Sequence, residues 1–306
     1  MLRSKGYDVT TISRSSGQQQ ISWYDLEKDG LPDDCGAVVS MAGENILNPL
    51  RRWNEDYKKD VRDSRIKTTK ALAQAIIDAK TKPDVFVSLS GVGYYKPDPQ
   101  TEYTEDSPGG DFDFLSRLGT DWEKEAQLPD DVPVRQVIIR SGVVLGRDGG
   151  AIQQMFLPFY AGVGGRIGCG TQWFPWIHVH DMAGIITHAI ENKNVTGVLN
   201  GVAPSTNTNN EFTQAFASAL WRPAFFPLPG FVVDTIFGRE RGKILLEGQK
   251  VIPKRTLESG YEYIYPDLDS ACAEFAKLIY KKDEFKENYN RQRDESMQKI
   301  KDKYSK

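Results

Sequence analysis

Ala37-Val38-Val39-Ser40 and Val85-Phe86-Val87-Ser88-Leu89 are two compact β-prone runs, separated by residues 56–79, whose apolar side chains recur at helical spacing. Downstream, residues 113–126 repeat the helical pattern. Residues 134–140 then form a third strand-like run with Val137-Ile138-Ile139 at its centre. Strands joined through helices in this way pair in parallel, and the crossovers lay helices on both faces of the sheet. This core predicts an α/β fold, a doubly wound parallel sheet.

Working outward toward the N-terminus, residues 21–23 and 9–13 are further β-prone runs, and residues 1–5 read as the last turn of a helix closed by Gly6. Toward the C-terminus the texture changes after Leu145. Gly162, Gly164, Gly165, Gly168 and Gly170 punctuate a loop-rich stretch that ends at Phe174-Pro175-Trp176. Asp181 is the expected cap of a helix reaching about residue 192, residues 197–202 are strand-like, and Asn209 or Asn210 is expected to cap a helix to Leu220. Residues 281–306 are nearly all charged and polar, as in a solvated helix or a frayed tail. The expected organisation is a first domain over residues 1–150, a smaller mixed substrate lobe over 151–280 with elements returning to the sheet, and a charged tail over 281–306.

The 306 residues carry a formal charge of -3. Such a balance offers no basic face to displace counterions from phosphate, so nucleic acid is not an expected partner. Cys35, Cys169 and Cys272 lie far apart with no CxxC pair, which suggests neither a disulfide framework nor a zinc site. No apolar run approaches the roughly 18–20 residues that cross a bilayer, and no membrane partner is expected. The cytoplasm is the default location, with an organelle as the alternative if a targeting segment lies upstream.

Arg14 follows Thr10-Thr11-Ile12-Ser13, where a dinucleotide-binding fold places the residue that reads the adenosine ribose. An acid there favours NAD. The planar donor fork of an arginine meets a 2′-phosphate, so Arg14 favours NADP. A solitary Arg14 would more often be a surface residue, and its context is what raises the functional reading.

That context is a resemblance spanning residues 1 to about 280. The stretches Gly-Ala-Val-Val-Ser-Met-Ala-Gly-Glu-Asn-Ile (36–46), Pro-Leu-Arg-Arg-Trp (49–53), Glu-Asp-Ser-Pro (105–108) and Arg-Ser-Gly-Val-Val-Leu-Gly (140–146) carry it. So do Phe-Pro-Trp-Ile-His (174–178) and Leu-Glu-Gly-Gln-Lys-Val-Ile-Pro (246–253). Together they resemble the extended short-chain dehydrogenase/reductases, in the atypical subgroup called epimerase family proteins. The resemblance implies a Rossmann-type domain holding NADP. Ser13 and Arg14 would hold the adenosine phosphate, Met41 and Ala42 would pass beneath the cofactor at the end of a central strand, Asp60 and Arg65 would lie on the following helix, and Val144 would close the nicotinamide end. Without it, Met41, Ala42 and Val144 would read as core packing and Arg65 as a solvated helix face.

Two departures from that family stand out. The glycine-rich turn GxxGxxG, which lets backbone approach the pyrophosphate, would precede Met1, along with the first strand and most of its helix. The expectation is a truncated gene model or isoform that binds NADP poorly. The catalytic Tyr-x-x-x-Lys is the second departure: here it reads Leu118-Gly119-Thr120-Asp121-Trp122. Leucine transfers no proton, and tryptophan has no charge with which to tune a neighbour. Ser90 matches the serine that positions the substrate carbonyl, and Tyr94 and Tyr95 on the next loop are the candidate replacement acids, against a plainer role as pocket lining or loop packing.

His178 and His180 invite a metal reading, but no third ligand is evident and a strand leading into a helix cap is the better account. The glycines between 162 and 170 lack a following Gly-Lys-Ser/Thr, so a pocket-rim loop is expected rather than a phosphate loop. The expected function is an NADP-dependent oxidoreductase or epimerase-like enzyme acting on a small molecule of unknown identity. The alternatives are a non-catalytic, NADP-responsive binding or assembly protein that has lost the Tyr/Lys pair, and an inactive truncated form.

Overall fold

Residues 1–277, apart from 18 and 49, are described by a computed structural model, and the charged tail at 281–306 lies outside them. Two short strands, β1 (Thr11–Ser13) and β2 (Gln20–Ser22), pair in parallel and run into α1 (Trp23–Asp29). Then follow β3 (Ala37–Ser40), α2 (Glu55–Asp78), β4 (Val85–Gly91), β5 (Asp98–Tyr103), α3 (Phe114–Glu125) and β6 (Arg135–Ser141). The C-terminal half supplies β7 (Val143–Gly146), α4 (Gly150–Tyr160), β8 (Trp176–His178), α5 (Val179–Glu191), β9 (Gly197–Gly201) and α6 (Asn209–Ala219). It ends with α7 (Gly230–Phe237), α8 (Arg239–Leu246), β10 (Gln249–Val251), α9 (Lys254–Glu258) and α10 (Leu268–Phe275).

The central sheet is wholly parallel in the order β3-β4-β6-β9, with Val87 between Val39 and Val137 and Ile139 beside Leu199. Period-two alternation sorts its side chains onto two faces. Val85, Val87, Val137 and Ile139 face α5, where Met182, Ile185, Ile186 and Ala189 complete one core cluster. Phe86 faces the other way, with Val38, toward Leu72 and Ile76 of α2. Ile12 and Ile21 join that second cluster, so β1 and β2 pack on the α2 side without any ladder hydrogen bond to β3 among the described residues. A third core, built from Leu145, Ile152, Phe159, Trp176, Phe212, Phe216 and Phe275, holds α4, α6 and α10 together.

The α/β, doubly wound architecture is the one predicted, and β9 carries a strand from the C-terminal half back into the sheet. Several local readings differ. Residues 21–23 do not form one strand: Ser22 and Asp25 make a reciprocal capping box that turns the chain into α1 at Trp23. The stretch after Leu145 is not all loop, because Gly150–Tyr160 winds into α4 to bury Ile152 and Phe159. His178, not Asp181, caps α5, its Nδ1 accepting the His180 N–H at 3.1 Å. Thr208, with Glu211, caps α6, which leaves Asn209 free to accept the Ile167 N–H at 2.8 Å.

Candidate functional site

Four helices, a strand, a turn and two loops converge on a cavity of about 170 Å³ at the carboxyl end of β4. Val92 and Gly93 enter from the turn after β4, Phe114 from α3, Val143 from β7, Met155 from α4, Phe212 from α6, and Ile244 and Leu245 from α8, while Trp53 and Trp173 come from loops. Close backbone approaches shape this wall. A Cβ on Gly248 would run into the Trp173 carbonyl oxygen, and one on Gly142 would sit 2.6 Å from the Pro175 carbonyl oxygen. These contacts are a physical reason for glycine at both positions.

Helix α8 is held against the loop before α2 by a fully buried arginine. The Arg241 guanidinium donates to the carbonyls of Asn48 at 2.9 Å, Arg51 at 3.1 Å and Phe237 at 3.1 Å, and it is 1% exposed. Burial lowers its pKa. Beside it, Glu240 accepts the Trp53 indole N–H at 2.7 Å and pairs with Lys58 at 2.6 Å.

The residues expected to hold a cofactor lie at strand ends. Ser13 closes β1, where its hydroxyl accepts from the Gln20 amide and donates to the Ser15 carbonyl at 3.0 Å. Arg14 is exposed and makes no hydrogen bond or ion pair among the described residues. Met41, 62% exposed, and the half-buried Ala42 follow β3 directly. Arg65 reaches back from α2 to this same turn, donating to the Glu44 carbonyl at 3.0 Å and lying where a Cβ on Gly43 would be 2.8 Å from its Cζ. Burial pulls its pKa down to about 10, and its acceptors are the backbone carbonyls of Val61 and Glu44 and the Ser64 hydroxyl. Asp60 lies on the exposed side of α2 in an ion pair with Arg51 at 2.8 Å, and Val144 is half-buried in β7 opposite Ile177. An uncommitted Arg14 and a cation held by neutral acceptors at the turn after β3 make a donor set that fits an anionic dinucleotide.

The two positions where the resemblance expects the usual Tyr and Lys are core positions. Leu118 and Trp122 lie one turn apart on α3 and pack with Tyr57, Val61 and Ile66 of α2. The Trp122 indole N–H donates to Thr69 at 2.8 Å, which in turn meets Ser40, and the Arg65 guanidinium lies 5.3 Å from the Trp122 ring. Ser90 points to the same side of the sheet. Strand register sets Ser90 beside Arg140 and Arg140 beside Asn200, a polar rung across β4, β6 and β9. Glu123 on α3 receives the Ser90 hydroxyl at 2.9 Å and a bidentate grip from Arg140 with both bonds at 2.8 Å. Arg140 also donates to the Tyr95 hydroxyl at 2.9 Å, which donates to Asn200 at 2.8 Å. Burial opposes the Arg140 charge, yet Glu123 more than compensates and its pKa stands above the ordinary value. Burial likewise raises that of Tyr95, against the pull of Arg140.

The structure therefore gathers Ser90 and Tyr95 into one buried network and seats Tyr94 beneath it, with the Arg140 guanidinium 3.6 Å from the Tyr94 ring centroid. None of the three is on the cavity wall, although their neighbours Val92 and Gly93 are. Sequence reading missed Arg140, Glu123 and Asn200 as a unit. A charged residue directly after Ile138-Ile139 in a strand buried on both faces was the available signal. His178 stacks on Tyr265 at 3.8 Å, and no group of residues suited to a metal ion occurs among those described.

The model of the NAD dependent epimerase/dehydratase family matches residues 1–200, and a domain of unknown function, DUF1731, matches residues 228–275. The human Epimerase family protein SDR39U1 is 57% identical over 274 residues, covering 90% of this chain and 93% of the relative. A crystal structure of human epimerase family protein SDR39U1 (isoform2) with NADPH superposes with a TM-score of 0.89 at 56% identity, covering 91% of this chain and 94% of that one. The nucleoside-diphosphate sugar epimerase from Corynebacterium glutamicum shares the fold, with a TM-score of 0.70 at 24% identity over 96% of this chain and 62% of its own.

Proposed function

The chain belongs to the NAD dependent epimerase/dehydratase family, and from that premise we propose that it is an NADP(H)-dependent oxidoreductase of epimerase type whose small-molecule substrate sits in the cavity beside Val92 and Gly93. The observation that carries this reading is the cavity's position. It opens at the carboxyl end of β4 and against β7, where open parallel sheets bind their ligands. Bound NADP(H) supplies or accepts the hydride. Arg14 and Ser13 hold the adenosine phosphate, Met41 and Ala42 floor the site after β3, and Arg65 contributes positive charge at that turn. Asp60 and Val144 are assigned to the helix side and the nicotinamide end.

Among the three hydroxyls weighed for proton transfer, Ser90 and Tyr95 have theirs committed to Glu123 and Asn200. Tyr94 makes no hydrogen bond among the described residues but lies off the cavity wall beneath Arg140, so none of the three is assigned the proton transfer. A second reading, a non-catalytic NADP-responsive binding protein, is favoured by one specific observation: Leu118 and Trp122, where the resemblance expects the Tyr and Lys, are packed as core residues.

Titration with NADPH and NADH, followed by fluorescence and melting temperature, tests the cofactor reading. The expected outcome is a preference for NADPH that Arg14→Ala narrows about tenfold or more, as loss of a charge-assisted hydrogen bond implies. Binding of neither nucleotide overturns it. NADPH binding with no NADPH oxidation across a panel of carbonyl compounds favours the second reading, whereas oxidation with any of them favours the first.

A further inference from the structure

The cavity's wall is at odds with a nucleoside-diphosphate substrate. A diphosphate needs uncommitted cations or backbone donors to replace its hydration, and stripping it of water without them is prohibitive. Among the described residues the wall holds three carboxylates, Asp113, Glu240 and Glu247, against two cations, Arg241 and Lys243. The guanidinium of Arg241 is spent on backbone carbonyls, and Lys243 is exposed. The other polar groups are also engaged. Gln172 donates its amide to the carbonyls of Ile167 at 3.0 Å and Leu245 at 2.9 Å, and Gln249 donates to the Tyr95 carbonyl at 3.1 Å.

Besides the exposed Lys243, one buried polar handle remains. The side-chain oxygen of the buried Asn209 accepts from Ile167, while its amide N–H groups have no partner among the described residues. The remainder of the wall is aromatic and aliphatic, and its volume of about 170 Å³ is close to that of an engineered cavity of about 150 Å³ that stays dry and binds benzene.

Resting on the cofactor reading above, we infer that the substrate is an uncharged, mainly apolar molecule with one carbonyl or hydroxyl oxygen, held by the Asn209 amide N–H, rather than a nucleotide-linked sugar. The cavity accepts its apolar body and disfavours diphosphates by offering, among the described residues, one exposed uncommitted cation, Lys243, against three carboxylates.

The test is calorimetric titration of the full chain with 2-octanone and with UDP-glucose, each in saturating NADPH and again without it. The expected result is binding of 2-octanone at least tenfold tighter than UDP-glucose. Asn209→Asp keeps the acceptor for the Ile167 N–H while removing the donor, and it weakens the ketone by about tenfold, the equivalent of one hydrogen bond. Ala151→Phe, which fills the cavity, removes ketone binding and leaves NADPH affinity as it was. Should Ala151→Phe fail to fold, as its melting curve would show, Asn209→Asp carries the test. Tighter binding of UDP-glucose, or no binding of 2-octanone while NADPH binds, overturns the inference and leaves the cofactor reading standing. Failure of NADPH to bind overturns the cofactor reading, and the titration of the free protein still decides the chemistry of the cavity.

Discussion

Arg140 and Glu123 show how much a single pair can carry at the residue scale. Both are buried, and their bidentate contact also anchors Ser90 and Tyr95. Arg140→Met leaves the Glu123 charge without its partner, so unfolding in urea should show a loss of about 3–5 kcal/mol, of which the double variant with Glu123→Leu recovers a large part. A loss in the double variant equal to the sum of the two single-variant losses would show that the pair acts independently. His180 sets a pH dependence. Burial holds its pKa near 3, well below the ordinary 6.5. Between those values the unfolded chain binds a proton that the folded chain refuses, so this contribution is complete above 6.5 and declines as pH falls toward 3, by at most about 1.4 kcal/mol per pH unit. His180→Gln should flatten the acid limb of a stability–pH profile, and an unchanged limb would assign it to other groups.

At the scale of elements, α8 matters more than its eight residues suggest. Its Arg241 side chain replaces the water that the carbonyls of Asn48 and Arg51 would otherwise need, and Glu240 adds links to Trp53 and Lys58. Arg241→Met keeps the bulk and removes the donors. Each stranded acceptor costs about 1–3 kcal/mol, so stability should drop by roughly 3 kcal/mol or more, with faster amide exchange at residues 46–51. A loss confined to α8, with exchange at 46–51 unaltered, would argue against the tie. Helices with sequence-local signals were legible: α2 and α3 lie within one residue of their predicted bounds at each end. Helices α7 and α8 were not: α7 buries only Val233 and packs on the adjacent α8, which the Arg241 hydrogen bonds to residues 48 and 51 tie to a distant loop.

For the whole molecule, stability should be graded between the central sheet and the β1–β2 pair. Strands β4 and β6 are paired on both sides and packed on both faces, while β1 and β2 pair with each other and contain no fully buried residue. Native-state amide exchange should therefore show β1 and β2 opening well before β4 and β6. Saturating NADPH should slow exchange at β1 in particular, since a ligand at 100 times its Kd adds about 2.7 kcal/mol to the states that hold it. Uniform protection across both sheets, or NADPH protection that spares β1, would contradict the grading and the role given to Ser13 and Arg14.

The sequence by itself determined the parallel α/β core, and it shows Leu118 and Trp122 where the resemblance expects the Tyr/Lys pair. Runs such as Val85-Phe86-Val87 and the helical spacing over 56–79 are local patterns, and a Leu or Trp at a given position is plain in the chain. What only the tertiary structure decided was where polar groups spend their hydrogen bonds. Ser90 and Tyr95 had the chemistry of catalytic groups in the sequence, and the placement of α3 and strand register then committed their hydroxyls to Glu123 and Asn200 respectively. The apolar cavity is likewise assembled from residues between Leu47 and Gln249, and its polarity follows from which of its donors are already taken. Periodicity is a property of neighbours along the chain, whereas a satisfied or unsatisfied hydrogen bond belongs to neighbours in space.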